Sequence, residues 1–190
     1  MTKTVAAIAA AFALGGLSVL VVWFAAPASE RVGPTATPDR AVWTEVPWPF
    51  LMDQWGKGRA FQCKAADCGT QVNLYLRAKI GFCNCTTGVS DDDELTRVGD
   101  VALVGGASFA VAPGHAVTAA RMKGRSRPYT VKNADPPAAS ALEMALNDHC
   151  DAVVVTVTVG RGEPAPFEAP AIAFLNGDVV LRWTEQTLGL

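Results

Sequence analysis

Residues 135–159, DPPAASALEMALNDHCDAVVVTVTV, decide the fold. Asp135-Pro136-Pro137 reads as a helix start: aspartate caps, and proline sits in the first turn, where a missing N–H costs nothing. Ala138, Ala141, Leu142, Ala145 and Leu146 recur at helical spacing. They predict one principal helix over about 136–147 that turns Glu143 and Asn147 to water. Beyond Asp148-His149-Cys150-Asp151, residues 152–159 form a β-branched run expected as a central or well-covered strand. With Tyr129-Thr130-Val131 as a strand ahead of the helix, the segment becomes a βαβ unit.

Toward the C-terminus, Asn176-Gly177 is the favoured type I′ pair. Used as a two-residue loop, it sets Phe174 opposite Val179 and Ile172 opposite Leu181, with Trp183 on the same face. Moving the loop to Gly177-Asp178 would mix polar and apolar residues on one face, so the first register is preferred.

Toward the N-terminus, residues 71–76 alternate, placing Val72, Leu74 and Leu76 on one face of a strand. Ser90-Asp91-Asp92-Asp93-Glu94 precedes Leu95, Val98 and Val101 or Ala102 at helical spacing. Acidic residues in a first turn oppose the positive end of the helix dipole, so Ser90 or Asp91 is the expected N-cap. The acidic run lacks the ligand alternation and glycine of an EF-hand loop. Residues 108–112 and 116–122 read as two strands around Pro113-Gly114, a dipeptide suited to a type II turn. The expected body is α+β: a mixed, mainly antiparallel sheet with one principal helix packed on it, a βαβ unit and a C-terminal β-hairpin.

Ahead of this body, residues 5–26 carry no charge, enough to cross a hydrocarbon core of about 30 Å as a helix. Lys3 on the near flank predicts that the N-terminus stays in the cytoplasm and the rest is exported. Ala26-Pro27-Ala28 matches a signal-peptidase site, so residues 1–28 are either a signal anchor or a signal peptide cleaved after Ala28. Residues 29–42, with Pro34 and Pro38, form a linker, and 43–190 the extracytoplasmic domain. The short, Ala-rich export segment points to a bacterial inner membrane with the domain in the periplasm.

The 190 residues include five cysteines, Cys63, Cys68, Cys83, Cys85 and Cys150. In an exported domain these are disulfide candidates, and the odd number leaves one over. A Cys83–Cys85 bridge would be strained, so each of the two is expected to reach a different partner, Cys150 among the choices. The alternative is a thiol-based metal or redox centre of Cys63, Cys68, Cys83 and Cys85. Its Cys-x-Cys spacing is tighter than the usual zinc knuckle, and no Cys-x-x-Cys motif is present.

The net charge of −2 becomes −3 without Lys3 and hides a polarity. Arg121, Lys123, Arg125, Arg127 and Lys132 are uninterrupted by any acidic residue, whereas the C-terminal part is acidic. Four of these cations alternate, a basic stripe for an anionic lipid, an envelope polymer or a protein partner. Trp43, Trp48, Phe50 and Trp55, close to the tether, are candidates for membrane or partner docking. Compartment and motif content exclude nucleic acid.

An enzyme would need Cys150 with a base, His115 being better placed than its neighbour His149. No hydrolase signature surrounds them, and there is no phosphate loop, nucleophile elbow or His-Glu-x-x-His pair. No catalytic residue, metal or cofactor is assigned. The expected function is a non-catalytic, disulfide-stabilised binding or accessory module, tethered to the membrane through its N-terminal helix.

Overall fold

The computed structural model describes residues 41–133 and 138–190. The predicted anchor or signal segment, its cleavage site, the linker up to residue 40 and Asp135-Pro136-Pro137 lie outside the described residues. Among those described, no helix is long and apolar enough to cross a membrane.

Eight strands form one sheet: β1 (Thr44–Val46), β2 (Arg59–Cys63), β3 (Val72–Lys79), β4 (Ala107–Ala110), β5 (His115–Ala119), β6 (Met122–Lys132), β7 (Ser140–Asp148) and β8 (Asp151–Val159). The order is β1-β2-β3-β8-β7-β6-β4, with β5 also on β6. Every named pairing is antiparallel, so the sheet is not mixed. Among the described residues the helices are α1 (Ala65–Cys68), α2 (Asp92–Val98), α3 (Glu168–Leu175) and α4 (Asp178–Leu188), with 3-10 turns at Val101–Val104 and Ala165–Phe167.

The principal helix predicted over 136–147 is instead strand β7, hydrogen-bonded to β6 on one side and β8 on the other. Ala, Leu, Glu and Met favour helices, but the preference is tenths of a kcal/mol per residue, roughly 0–0.7. Two flanking strands and full burial outweigh it. A period of two was present in Leu142, Met144 and Leu146; alanines at 141 and 145 made the stretch look equally helical, because alanine counts as apolar in either period. Glu143, expected in water, is buried. Since β7 turns directly into β8 through His149-Cys150, there is no βαβ crossover: β6, β7 and β8 are a meander.

The predicted C-terminal hairpin is also absent; residues 168–188 form the helix pair α3–α4. A type I′ turn needs positive φ at both central residues, whereas Asn176 and Gly177 have φ of −81° and −79°. Ala171, Leu175, Val180 and Thr184 are the buried positions, a spacing of four within each helix. Asn176 serves another contact, its Oδ1 accepting from the Ala120 N–H at 2.8 Å.

Strands β4 and β5 do not pair with each other across Pro113-Gly114; both lie on β6. The reversal into β6 falls at Ala120-Arg121, both with positive φ (48° and 62°). Neither residue is a usual occupant of that conformation, so the turn carried no sequence signal. Strand β3 and helix α2 match expectation. Asp91 caps α2, its Oδ1 accepting from the Glu94 N–H at 2.8 Å. Asp91→Ala is expected to cost about 1 kcal/mol, measured as a lower urea midpoint at unchanged slope.

The sheet has two unlike faces. On one, Leu74, Leu76, Leu142, Met144, Val155 and Val157 pack with Phe167, Ala171, Leu175 and Val180 of the C-terminal helices. The other is broken into two smaller apolar clusters, one around Leu95, Val98 and Val154 and one around Tyr75, Val104 and Ala141. Alternation places Arg77 and Lys79 of β3, Glu143 of β7 and Thr156 of β8 on this second face.

Candidate functional site

Arg77 and Lys79 are buried on β3, two positions apart, and α2 ends above them. The chain after α2 delivers Asp100 to both. Arg77 holds it through Nε and Nη2 at 2.8 and 2.5 Å, and Lys79 Nζ lies 2.8 Å from Oδ1. Lys79 also donates to the Val98 and Gly99 carbonyls at 2.6 and 3.3 Å, taking up the open end of α2. Arg77 reaches Asp53 through Nη1 at 2.7 Å, pinning the loop that carries Trp55. That contact holds the Asp53 carboxyl below its ordinary range.

Glu143 lies beneath this cluster. Its Oε1 accepts from the Asp100 N–H at 2.5 Å and its Oε2 pairs with Thr156 Oγ1 at 2.8 Å. Two cations already face two carboxylates above it. Burial first, and the Asp100 charge second, push its carboxyl up to about 8. Its surroundings thus favour the protonated acid, with Thr156 Oγ1 bonded to Oε2.

Above the cluster opens a groove of about 350 Å³, edged by Trp55, Lys79, Phe82 and Arg97. The two rings lie 4.5 Å apart, with Lys79 Nζ and the Arg97 guanidinium 5.5 and 4.8 Å from the Phe82 centroid. The cations are committed internally, Arg97 to Glu94 and the Phe82 carbonyl. The cluster ties three strands to α2 and the Trp55 loop, and its exposed carboxylate, Asp53, is held by Arg77. The sequence analysis does not single out this cluster; the signal for Arg77 and Lys79 is the polar side of the β3 alternation, whereas Asp100 follows α2 and Glu143 lies on β7.

The cysteines divide differently from the expected quartet. Cys63 bonds Cys68, closing α1 onto β2, and Cys85 bonds Cys150 across 65 residues. Cys83 is the odd thiol, buried. The proposed Cys63, Cys68, Cys83 and Cys85 centre is therefore not assembled. Among the described residues no group of three or more His, Cys, Asp or Glu is arranged around a metal. Cys150, in a bridge, has no thiol to act as nucleophile, and His115 contacts Glu168 at 2.8 Å instead.

The basic residues do not form one open row. Arg125 and Arg127 both face Asp92, whose carboxylate also caps the Gly114 N–H at 3.0 Å. Arg121, on the hairpin tip, pairs with Glu185 at 3.0 Å. Lys123 and Lys132 are exposed, Lys132 lying over the Phe109 ring. Of the aromatics, Trp43 packs on Phe174, Trp48 and Phe50 on Tyr75, and Trp55 on Phe82. Leu51 and Met52, between them, are 92% and 68% exposed.

Comparison with known proteins returns no similarity: no family model, no curated protein and no solved structure matches this chain.

Proposed function

We propose that the chain is a periplasmic module of the bacterial cell envelope, tethered to the inner membrane by residues 5–26, that binds an anionic partner without catalysis. The observation that carries this is the pair of bridges, Cys63–Cys68 and Cys85–Cys150, since structural disulfides persist in oxidising compartments and are rare in the cytosol. The charge-free run at 5–26 and the Lys3 flank support the tether and its direction. Arg121 and Lys123, beside the β5–β6 turn, are the cations that meet the partner. Arg121 stays 77% exposed while pairing with Glu185, whereas Arg125 and Arg127 are enclosed with Asp92 and Lys132 lies nine residues along β6 on its other side. A headgroup layer is the anionic surface nearest a tethered domain, and the exposed Leu51 and Met52 suit its apolar edge.

Fractionation of cells making the full chain tests the tether. The expected result is a membrane-bound protein digested by protease added to spheroplasts but not to intact cells. Recovery in the cytosol would overturn the reading, and a soluble periplasmic form beginning at residue 29 would replace the anchor with a cleaved signal.

The partner is tested by flotation with phosphatidylglycerol-containing vesicles. Binding is expected at low salt and should fall by about tenfold or more in the double variant Arg121→Glu, Lys123→Glu, which leaves the Asp92 cluster intact. Equal flotation of the two proteins, or equal binding to neutral vesicles, would contradict it.

A further inference from the structure

One junction gathers three of the five cysteines. The segment from Gly81 to Gly88 crosses the β7–β8 turn, and its Cys83 N–H donates to the Cys150 carbonyl at 3.0 Å. Cys83 Sγ donates to the neighbouring His149 carbonyl at 3.2 Å. Cys85, two residues on, is bonded to Cys150. A buried thiol is thus docked by two hydrogen bonds on the very turn that carries half of a disulfide, while Cys85, the other half, is exposed. The segment is anchored on both sides, by Gly81 N–H to Asp151 at 2.6 Å and by Asn84 N–H to Glu94 at 2.8 Å.

We propose that these residues form a thiol–disulfide exchange site whose output is an exposed Cys85 thiol, reactive toward disulfide-bearing partners. The Cys83 thiolate attacks Cys150 Sγ; a Cys83–Cys150 bond forms as the Cys85–Cys150 bond breaks. Cys85 leaves as the thiolate and takes up the proton Cys83 released, so the rearrangement is an isomerisation needing no oxidant. Cys85 then attacks an external disulfide, forming a mixed disulfide and releasing the other half as a thiol. Attack on Cys85 itself is disfavoured, since it would give the strained Cys83–Cys85 pairing.

Cys85–Cys150 is the resting form, and the surroundings of Cys83 slow its exchange. Burial raises the Cys83 thiol, the Glu94 and Asp151 carboxylates raise it further, and Arg97 opposes them. His149, on the turn, points outward and pairs with Asp148 at 3.1 Å. Thiolate is scarce at neutral pH, so exchange quickens with pH, up to about tenfold per unit below the thiol pKa.

The test uses the full chain purified without reductant and incubated with oxidised glutathione at pH 7 and pH 8, then mapped by mass spectrometry after acid quench. The expected product carries one glutathione on Cys85 with Cys83 bonded to Cys150, forms several-fold faster at pH 8, and is lost in Cys83→Ser. A second variant, Cys85→Ser, is expected to contain a Cys83–Cys150 bridge. Glutathione found on Cys83 with Cys85–Cys150 intact, or Cys83 and Cys150 both left as thiols in Cys85→Ser, would overturn the proposal. The map of the untreated wild type reads the resting bridges separately, and none of these outcomes depends on the tether or the anionic partner.

Discussion

Asp100→Ala is expected to destabilise the domain by roughly 3–5 kcal/mol, among the largest effects of any single side-chain truncation here. Arg77 would keep only Asp53, whose side chain is 41% exposed, and Lys79 only two backbone carbonyls. Two buried cations would then lack the carboxylate that both contact. Asp100→Asn keeps the shape and one acceptor and should cost less. A urea titration of the three proteins at pH 7 checks the order wild type, Asn, Ala. A loss below about 1 kcal/mol for Ala, the range of exposed pairs, would mean that the cluster is solvated.

Glu143→Gln should stabilise the protein by an amount that grows as pH rises above about 4.5 and is greatest above about 8. The folded carboxyl sits at about 8 against an ordinary 4.5. Between those values the unfolded chain releases a proton that the folded one retains. Stability therefore falls as pH rises from about 4.5 to about 8 and levels off above. At about 1.4 kcal/mol per pKa unit the full effect is on the order of 5 kcal/mol. Glutamine keeps an acceptor for the Asp100 N–H and a donor for Thr156, and it has no proton to lose. Wild type and variant should match near pH 4.5 and diverge by several kcal/mol at pH 8.5, read from denaturant midpoints across the range. Parallel curves would show Glu143 ionised in the folded state. Because Asp100 is the second cause of the shift, Asp100→Asn should flatten the wild-type slope, so the two substitutions are expected to be non-additive.

What could be read from the sequence was local. The alternation of β3, the run of β8 and the acidic cap of α2 each carry their own period or hydrogen bond. What failed required knowing the neighbours. β7 looks helical alone and becomes a strand because β6 and β8 supply its hydrogen bonds. Asn176-Gly177 has the composition of a hairpin turn, yet the α3–α4 packing holds both residues at negative φ. Ala120-Arg121 makes the β5–β6 turn with neither glycine nor asparagine. The charged cluster was hidden for a related reason: Arg77, Lys79, Asp100 and Glu143 are ordinary surface residues until a second layer covers that face. The cysteine count announced a thiol left over, but pairing is set by which loop crosses which turn, and that crossing is tertiary.

The central claim is that this domain is held by disulfides made outside the cytoplasm. It is tested most directly by blocking thiols with iodoacetamide in intact cells making the full chain, then mapping cysteines by mass spectrometry. The expected map has Cys63 bonded to Cys68, Cys150 bonded to Cys85 or, in the exchanged form, to Cys83, and a single blocked thiol. Five blocked cysteines would contradict it.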